Sequence, residues 1–251
     1  MIAKECRVNI HIICYGRREY TERCIESIYR NTSFPFELVI VDNNFPYPDG
    51  TREYLKQLEK EKREIRLIFN ELNRGIAYSV YQALRISEAD LYIKIDNDIE
   101  IQTKGWLEML LQAYEALGEL APKCVLGGTI AGISTKLPAL KVQYISPSIT
   151  IEWLAHIGGT LRAIPKTVID RIGYVTPTLP LHGHEDSLYS NKLLQYGYQI
   201  GRIRELIGLH IDTTPGQGKK YPKWKALSHG FAYKYRYDPI MHNYLEVEST
   251  E

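Results

Sequence analysis

The chain has 251 residues, of which 44% are hydrophobic and 24% are charged, and its formal net charge is +1. This composition is ordinary for a globular protein that buries a core, and the length suits one α/β unit with an appended region. The near-neutral charge gives no global field that would attract nucleic acid, so we expect no nucleic-acid partner.

The first half of the chain alternates apolar, β-branched runs with segments whose apolar residues recur at helical spacing. The strands are predicted at Val8–Cys14, Glu37–Val41, Ile65–Phe69 and Leu91–Ile95, and the helices at Glu19–Tyr29, Thr51–Lys62, Ile76–Ile86 and Thr103–Leu117. This alternation predicts an α/β fold with a mostly parallel, Rossmann-like central sheet and helices on both of its faces.

The pattern changes after Ala121. The segment "KCVLGGTIAGI" predicts a strand, and Leu137–Trp153, which contains two prolines, predicts edge strands or loops. A helix is predicted from Glu185, with Gly197 as its stop. Lys219–Tyr237 contains five lysines, one arginine and six aromatic residues, but no acidic residue.

The four cysteines show no CxxC spacing, and three of them lie in apolar patterns, which favours reduced, buried thiols. The N-terminal segment does not have the pattern of a signal peptide, and no segment reaches the roughly 18 apolar residues of a membrane helix. The sequence therefore predicts a cytoplasmic protein, with peripheral membrane contact left open.

Polar residues follow each of the four predicted strands of the first half. The strand ends are Tyr15-Gly16-Arg17, Asp42-Asn43-Asn44, Asn70 with Asn73-Arg74-Gly75, and Asp96-Asn97-Asp98. In an open parallel sheet, ligands bind beyond the carboxyl ends of the strands, where loops and helix N-termini converge. Four polar ends together indicate a polar ligand that lies across this edge.

The segment "YIKIDNDIEI" carries two aspartates, Asp96 and Asp98, directly after a buried strand, with no lysine or arginine immediately beside them. Residues i and i+2 of an extended chain point to the same side, so we expect both carboxylates to face one point. Two such carboxylates repel each other unless a positive group lies between them. The pair therefore fits Mg²⁺ or Mn²⁺ bridging to a diphosphate, and the alternative is an Asx-type turn with solvated aspartates.

Seven segments resemble, in order, motifs of family 2 glycosyltransferases with the A-type nucleotide-sugar fold. They are "NIHIICYGRREYTERCIESI", "ELVIVDNNFPYPDGT", "NRGIAYSVYQAL", "YIKIDNDIEI" as the DxD motif, "HIGGTLRAIPKTVIDRIG", "GHEDSLYSNKLLQYGYQI" and "IGLH". The resemblance covers about residues 6–212. Seven ordered segments are far more specific than any one of them alone.

The resemblance implies roles for individual residues. Asp42 matches the nucleobase contact, Asp98 the metal ligand, Asp186 the catalytic base, and His210 a histidine that completes the metal or diphosphate site in some members. The full set of candidate nucleotide-sugar contacts is Tyr15, Arg17, Asp42, Asn44, Asn73, Arg74, Gly75 and Asp96. The candidate metal ligands are Asp96, Asp98 and His210, and the candidate catalytic residues are Asp186 and, as the second choice, Glu185.

Each of the later candidates also has a plain structural interpretation. Asp186 could cap the following helix, and His210 could be a satisfied histidine at a strand end. Gly158 and Gly159 mark either a bulge or a close approach to ligand. His182 and His184 lack a third ligand at helical spacing, which argues against zinc.

The chain also departs from the family pattern. Two extra residues and the prolines Pro46 and Pro48 lie between Asp42 and the "DGT" element, so the identity of the nucleotide stays open. Tyr81 replaces the second asparagine of the "NxGxAxAxN" element. No QxxRW signature follows Asp186, which argues against a processive polysaccharide synthase.

The expected activity is that of a metal-dependent, inverting, non-processive glycosyltransferase with a UDP- or GDP-sugar donor and Mn²⁺ or Mg²⁺. The acceptor would be a glycan, a lipid-linked molecule or a small molecule, and the oligomeric state is open. Residues 1–120 would bind the nucleotide sugar, residues 121–212 would bind the acceptor, and residues 213–251 would form a basic aromatic extension. The alternatives are a non-catalytic nucleotide-sugar or glycan-binding protein and a nucleotidyltransferase.

Three interpretations of the basic aromatic extension remain. It could be a packed helix with solvated lysines, a lid over the diphosphate or acceptor, or a patch that docks on anionic lipid. Each lysine or arginine near an anionic membrane surface contributes about 1 kcal/mol, so six could hold the protein there.

Overall fold

The computed structural model describes residues 6–62, 64–132, 138–175, 185–213, 235–238 and 243–246. Its first half alternates strictly between strand and helix. The elements are β1 (Val8–Cys14), α1 (Arg18–Asn31), β2 (Glu37–Asp42), α2 (Thr51–Glu61), β3 (Ile65–Phe69), α3 (Gly75–Ile86) and β4 (Leu91–Asp96). Every strand and helix predicted in this half is present, with boundaries shifted by at most a few residues.

The second half contains more and shorter elements. They are β5 (Ile99–Ile101), α4 (Trp106–Leu117), a 3₁₀ turn (Gly118–Lys123), β6 (Cys124–Ala131), β7 (Lys141–Ser146), β8 (Ile149–Leu154), β9 (Leu161–Pro165), α5 (Lys166–Ile172), α6 (Glu185–Gln195), β10 (Gln199–His210), a 3₁₀ turn (Ile211–Thr213), β11 (Tyr235–Asp238) and β12 (Asn243–Glu246). β5, β9, α5 and β10 were not predicted. β5 has three residues and α5 seven, and the β9 segment "LRAIP" contains an arginine and ends in proline, so none of these three shows an uninterrupted apolar pattern.

Ten strands form one sheet in the order β3-β2-β1-β4-β9-β6-β10-β8-β7, with β5 paired to β10. β1, β2, β3 and β4 are mutually parallel, and β6 is parallel to β10. β9 lies antiparallel between β4 and β6, and β8 lies antiparallel to β10. The predicted α/β class with a Rossmann-like sheet is confirmed, and its parallel pairs are those among β1–β4 of the N-terminal half and the pair β6–β10 of the second half.

Two predictions for the second half can be compared with the structure directly. The proline-containing stretch Leu137–Trp153 was expected to form edge strands or loops, and it contributes the hairpin β7–β8, with β7 at the sheet edge. α6 ends before Gly197, whose φ of 77° is the left-handed conformation that commonly stops a helix. The predicted start of α4 at Thr103 was three residues early, because Thr103 Oγ1 instead donates a hydrogen bond to the Glu205 carbonyl of β10.

Most of the basic aromatic extension, and both His182 and His184, lie outside the described residues. Within the extension, Tyr235–Asp238 pairs with Asn243–Glu246 as a two-stranded antiparallel sheet. This part of the predicted extension is therefore strand rather than helix. None of the helices in the described ranges combines the length and the apolar character needed to cross a bilayer.

Side chains alternate between the two faces of the sheet, and helices cover both faces. α1, α2 and α4 pack on one face around residues such as Ile10, Ile12 and Ile93. α3, α5 and α6 pack on the other, around residues such as Ile164 and Val125. Two apolar cores therefore sandwich the strands, as the alternation of strand and helix predicted.

The face under α3, α5 and α6 also carries a polar row across the centre of the sheet. His11 of β1 pairs in register with Lys94 of β4, and Lys94 pairs with Arg162 of β9. All three side chains are almost completely buried.

Neither ring nitrogen of His11 has a hydrogen-bond partner among the described residues. Burial, with a smaller effect of Lys94, lowers the pKa of His11 to about 3, so the folded protein holds a neutral imidazole.

His11→Leu should make the stability of the protein less dependent on pH. An unfolded histidine takes up its proton near pH 6.5, whereas His11 in the folded protein stays neutral until about pH 3. Stability is therefore lost as the pH falls between these values, and an apolar residue abolishes that loss. Urea unfolding at several pH values measures the free energy of unfolding of both proteins. The difference between them, variant minus wild type, should increase as the pH falls below 6.5. Parallel curves for variant and wild type would contradict a buried, neutral His11.

Candidate active site

The turn that follows β1 places Arg17 at the carboxyl ends of the strands. Gly16 and Arg17 both adopt left-handed backbone conformations, with φ of 64° and 63°. A Cβ on Gly16 would lie 2.7 Å from the Phe45 ring, so only glycine fits. The Arg17 amide donates a 2.6 Å hydrogen bond to Asp49 Oδ2, which fixes the turn against the start of α2.

The Arg17 guanidinium binds the second aspartate of the DxD motif. Its Nη1 lies 3.0 Å from Asp98 Oδ2, and its Nη2 donates a 2.7 Å hydrogen bond to Asn97 Oδ1. Asp212 Oδ2 lies 3.7 Å from the same Nη1. Burial by itself would raise the pKa of Asp98, but Arg17 and His210 outweigh it and hold that pKa below its usual value.

The first aspartate of the motif binds a different cation. Lys94 Nζ donates hydrogen bonds to Asp96 Oδ1 and, over 2.7 Å, to the Gly159 carbonyl. Asp96 ends β4, and Asn97 and Asp98 form a turn, so the spacing of an extended chain does not reach Asp98. That the two carboxylates face one shared point stays a prediction. Arg17 is 81 residues from Asp98, so the sequence did not reveal this partner. Lys94 lies two residues before Asp96 in the same strand, so the i, i+2 rule could have revealed it, but the rule was applied only to the aspartates.

A divalent cation fits best at Asp98. Asp98 Oδ1 is buried and makes no hydrogen bond within the described part of the chain, and His210 Nε2 lies 3.7 Å from Oδ2. β5 and β10 pair so that His210 stands opposite Ile99, and the Ile211 amide donates a 2.9 Å hydrogen bond to the Asp98 carbonyl. Carboxylate and imidazole donors suit Mn²⁺ or Mg²⁺ when a diphosphate supplies further oxygens. The described residues do not already group three or more such side chains around a single point.

Asp42, the expected nucleobase contact, is buried at the end of β2. Arg52 Nε of α2 donates a 2.5 Å hydrogen bond to Asp42 Oδ2. Burial raises the pKa of Asp42, and Arg52 opposes this rise only in part. Asn44 has a left-handed backbone (φ 53°), and its amide lies 3.4 Å from Asp42 Oδ2. The sequence did not indicate Arg52 as a partner of this carboxylate.

Asn43 ties the second and third strand ends together. Its Oδ1 accepts hydrogen bonds from Asn70 Nδ2 (2.8 Å), from Ser79 Oγ (2.9 Å) and from the Arg74 amide (3.4 Å). These contacts hold the loop before α3 against β2. Sequence reasoning had named Asn43 only as part of a polar strand end.

The same loop closes the pocket beside Tyr15. Asn73 Oδ1 accepts a 2.9 Å hydrogen bond from the Gly75 amide, and the Asn73 side chain also hydrogen-bonds Tyr15. The Tyr15 ring packs edge-on against Phe45 at 5.2 Å. Tyr15, Asp42, Asn44, Asn73, Arg74 and Gly75 therefore border one region, as the sequence predicted from their strand-end positions.

Glu185 and Asp186 begin α6 on the opposite side of this edge. Glu185 is buried, whereas a third of the Asp186 side chain is exposed. Asp186 Oδ1 accepts a 2.8 Å hydrogen bond from the Ser187 amide, and Oδ2 lies 4.0 Å from His156 Nε2. Asp186 is thus the more accessible of the two candidate bases, and His156 is a neighbour that sequence reasoning missed.

Gly159 is the point at which the two sides of the site meet. A Cβ at this position would lie 3.2 Å from Lys94 Nζ, 3.5 Å from Asp186 Cβ and 3.6 Å from Glu185 Oε1. Of the two interpretations of the double glycine, close approach therefore describes Gly159, although the approach is to protein groups. A side chain at this position would crowd the end of Lys94 but would make only ordinary contacts with Glu185 and Asp186.

Comparison with known proteins assigns the family. The model of glycosyl transferase family 2 matches residues 9–152, more than half of the chain. A glucosyl-dolichyl phosphate glucuronosyltransferase of Haloferax volcanii is 28% identical over 129 residues, 49% of this chain and 38% of the relative. The putative teichuronic acid biosynthesis glycosyltransferase TuaG of Bacillus subtilis is 31% identical over 84 residues, 34% of this chain and 32% of the relative. The chain thus spans about a third of the length of these relatives.

Solved structures share the fold. A mannosyltransferase of Pyrobaculum calidifontis, solved with GDP-Man and Mn²⁺, has a TM-score of 0.63 at 16% identity over 91% of this chain and 63% of its own. GalNAc-T7, solved with UDP, GalNAc and Mn²⁺, has a TM-score of 0.65 at 16% identity over 82% of this chain and 43% of its own. These similarities confirm the A-type glycosyltransferase fold. Together with the match of the family model, they show that the chain belongs to glycosyl transferase family 2.

Proposed function

We propose that this protein is a metal-dependent, inverting, non-processive glycosyltransferase that moves a hexosyl group from a nucleoside-diphosphate sugar to an acceptor hydroxyl. The observation that carries this proposal is that Lys94 links Asp96 of the DxD motif to the Gly159 carbonyl, while Asp186 lies on the other side of Gly159, with its Cβ 3.5 Å from the position of a Gly159 Cβ. This arrangement brings a diphosphate-type site and an accessible carboxylate to the same edge of the sheet. Family membership supports the same reaction class.

The donor would bind across the carboxyl ends of β1, β2 and β4. Tyr15, Asp42 and Asn73 border the region proposed for the nucleobase, and Asp96 offers carboxylate oxygen to the ribose. UDP and GDP are both candidates, since the mannosyltransferase of Pyrobaculum calidifontis was solved with GDP-Man and GalNAc-T7 was solved with UDP. A base with an N–H group suits the buried Asp42 carboxylate, because ionised carboxylates only accept hydrogen bonds.

Asp98 and His210 would hold the cation. When bound, Mn²⁺ or Mg²⁺ supplies Lewis-acid stabilisation of the charge that develops on the diphosphate. Arg17 contributes a second, permanent positive charge next to Asp98. The chain therefore offers both fixed and exchangeable positive charge near the leaving group.

Asp186 would act as the general base. It accepts the proton of the acceptor hydroxyl while that oxygen bonds to the anomeric carbon and the bond from this carbon to the diphosphate oxygen breaks. The nucleoside diphosphate leaves, and attack from the opposite face inverts the anomeric centre. No covalent nucleophile is required. The exposed Asp186 suits this role better than Glu185, which is buried against Lys94.

The acceptor would approach from the side of α6. The Haloferax volcanii relative is named for glucosyl-dolichyl phosphate, which supports a lipid-linked glycan among the glycan, lipid-linked and small-molecule acceptors. A cytoplasmic location, with peripheral membrane contact through the basic aromatic extension, would suit such an acceptor.

A screen of UDP- and GDP-sugars tests the proposed function. Each sugar is added with and without Mn²⁺, and the shift in melting temperature and the release of nucleoside diphosphate are measured. We expect Mn²⁺-dependent binding and slow hydrolysis of at least one donor. Binding without hydrolysis or transfer would show that the protein binds nucleotide sugars but is not a catalyst, and would overturn the catalytic assignment.

Asp98→Asn should greatly weaken Mn²⁺-dependent binding of UDP or GDP. Changes in residues that merely support metal ligands cost about 10–100-fold in affinity, so loss of a ligand should cost at least about 100-fold. Isothermal calorimetry measures this, with Asp170→Asn as the control, since Asp170 is an exposed aspartate of α5. Unchanged affinity in Asp98→Asn would remove Asp98 from the metal site.

Asp186→Asn should lower kcat and leave the donor KM nearly unchanged. The amide preserves the shape of the side chain but cannot accept the proton, and a positioned base contributes about 10²–10⁴-fold. Steady-state transfer kinetics, with the melting temperature as a check on folding, measure the effect. A variant that retains its kcat, or that loses donor binding instead, would show that Asp186 is not the base.

A further inference from the structure

Lys94 is a buried lysine at the centre of the site, and the reaction proposed above does not use it. Only 1% of its surface is exposed. Burial by itself would lower its pKa, but the carboxylates of Asp96 and Glu185 and the nearby Tyr174 outweigh burial and hold the pKa above its usual value. The side chain is therefore charged and relies on carboxylates from two different parts of the chain.

We propose that Lys94 is a positioning residue that holds the donor-side carboxylate of Asp96 and the acceptor-side helix α6 at a fixed separation. This inference rests on the proposed function, because it assigns Asp96 to the donor and Asp186 to the acceptor. Lys94 contacts Asp96 and the Gly159 carbonyl directly. Lys94 Nζ and Glu185 Oε1 both lie within 4 Å of the space that a Cβ on Gly159 would occupy.

One face of helix α6 is turned towards the buried cations Lys94 and Arg162. Glu185 and Tyr189 are four residues apart and therefore share a face of the helix. Glu185 lies beside Lys94, and the Tyr189 ring lies under the guanidinium of Arg162, at 5.2 Å. Asp186 is rotated by about 100° from Glu185 around the helix axis, and a third of its side chain is exposed.

This arrangement divides the two adjacent acids between two tasks. The charge of Glu185 attracts Lys94, and Lys94 holds Gly159, against which the first turn of α6 packs, while a third of the Asp186 side chain stays exposed for the acceptor. Arg162 Nη2 donates a 2.7 Å hydrogen bond to the Ile157 carbonyl, which secures the segment leading to Gly159. The distance between the donor site and the base is then set by one lysine side chain, which matters because misplacement by about 1 Å can cost 10²-fold in rate.

The test is a double-mutant cycle with Lys94→Met, Glu185→Gln and the double variant. Lys166→Met is the matched control, because Lys166 also binds a carboxylate, Asp170, but does so on the surface. Each variant is measured for kcat, donor KM, calorimetric affinity for UDP and GDP with Mn²⁺, and hydrogen exchange across residues 185–195.

We expect Glu185→Gln to lower kcat about 10-fold, the size of an ordinary coupling between neighbouring groups, with nucleotide affinity unchanged. Lys94→Met should lower both kcat and nucleotide affinity, because it releases Asp96 as well as Glu185. The double variant should be no worse in kcat than Lys94→Met, since both changes remove the same attraction between the Lys94 ammonium and the Glu185 carboxylate. Exchange in α6 should rise in all three variants and stay at the wild-type rate in Lys166→Met.

Losses in kcat that multiply in the double variant would overturn the proposal, and so would wild-type exchange rates in α6. A loss of 10²-fold or more in Glu185→Gln alone would make Glu185 the base instead. If Lys94→Met does not fold, exchange and kcat in Glu185→Gln decide the question. Failure of the wild type to bind UDP or GDP would reject the proposed function, while exchange in α6 would still decide whether Lys94 anchors the helix.

Discussion

Two ion pairs between buried cations and adjacent aspartates organise the carboxyl edge of the sheet. Lys94 binds Asp96, and Arg17 binds Asp98, and both cations are almost completely buried. A charge in a protein interior is tolerated only when a partner and hydrogen bonds compensate it, and removal of one partner leaves a costly lone charge. The packing of the sheet edge and the geometry of the candidate site therefore depend on the same four side chains.

These pairs also give two similar carboxylates different properties. Asp96 has one oxygen committed to Lys94, while a third of its side chain is exposed. Asp98 is buried and keeps Oδ1 without a hydrogen bond in the described residues, with His210 close to its other oxygen. A hard cation suits Asp98 for this reason, and a hydroxyl-rich ligand suits Asp96. A DxD motif thus combines two environments that differ in burial and in charge.

The second half of the chain returns to this edge through antiparallel strands. The family model ends at residue 152, before Asp186 and His210. β9 enters the sheet beside β4, which brings Gly159 to Lys94, and β10 pairs with β5, which brings His210 to Asp98. The parallel N-terminal half is thereby completed by a mixed half that brings Gly159 and His210 to the same edge, and the guanidinium of Arg162 packs over the Tyr189 ring of α6.

The sequence by itself determined the strands and helices of the first half and the polar character of their ends. Both are local properties, since apolar periodicity selects the element and residues after a parallel strand must lie at the ligand-binding edge.

Only the tertiary structure decided which charges are paired. Arg17 is 81 residues from Asp98, and Gly159 is 65 residues from Lys94. Such contacts follow from strand order, and the short strand Leu161–Pro165 that places Gly159 contains an arginine and ends in proline, so it shows no uninterrupted apolar pattern. Sheet order depends on long-range packing, which no local pattern encodes.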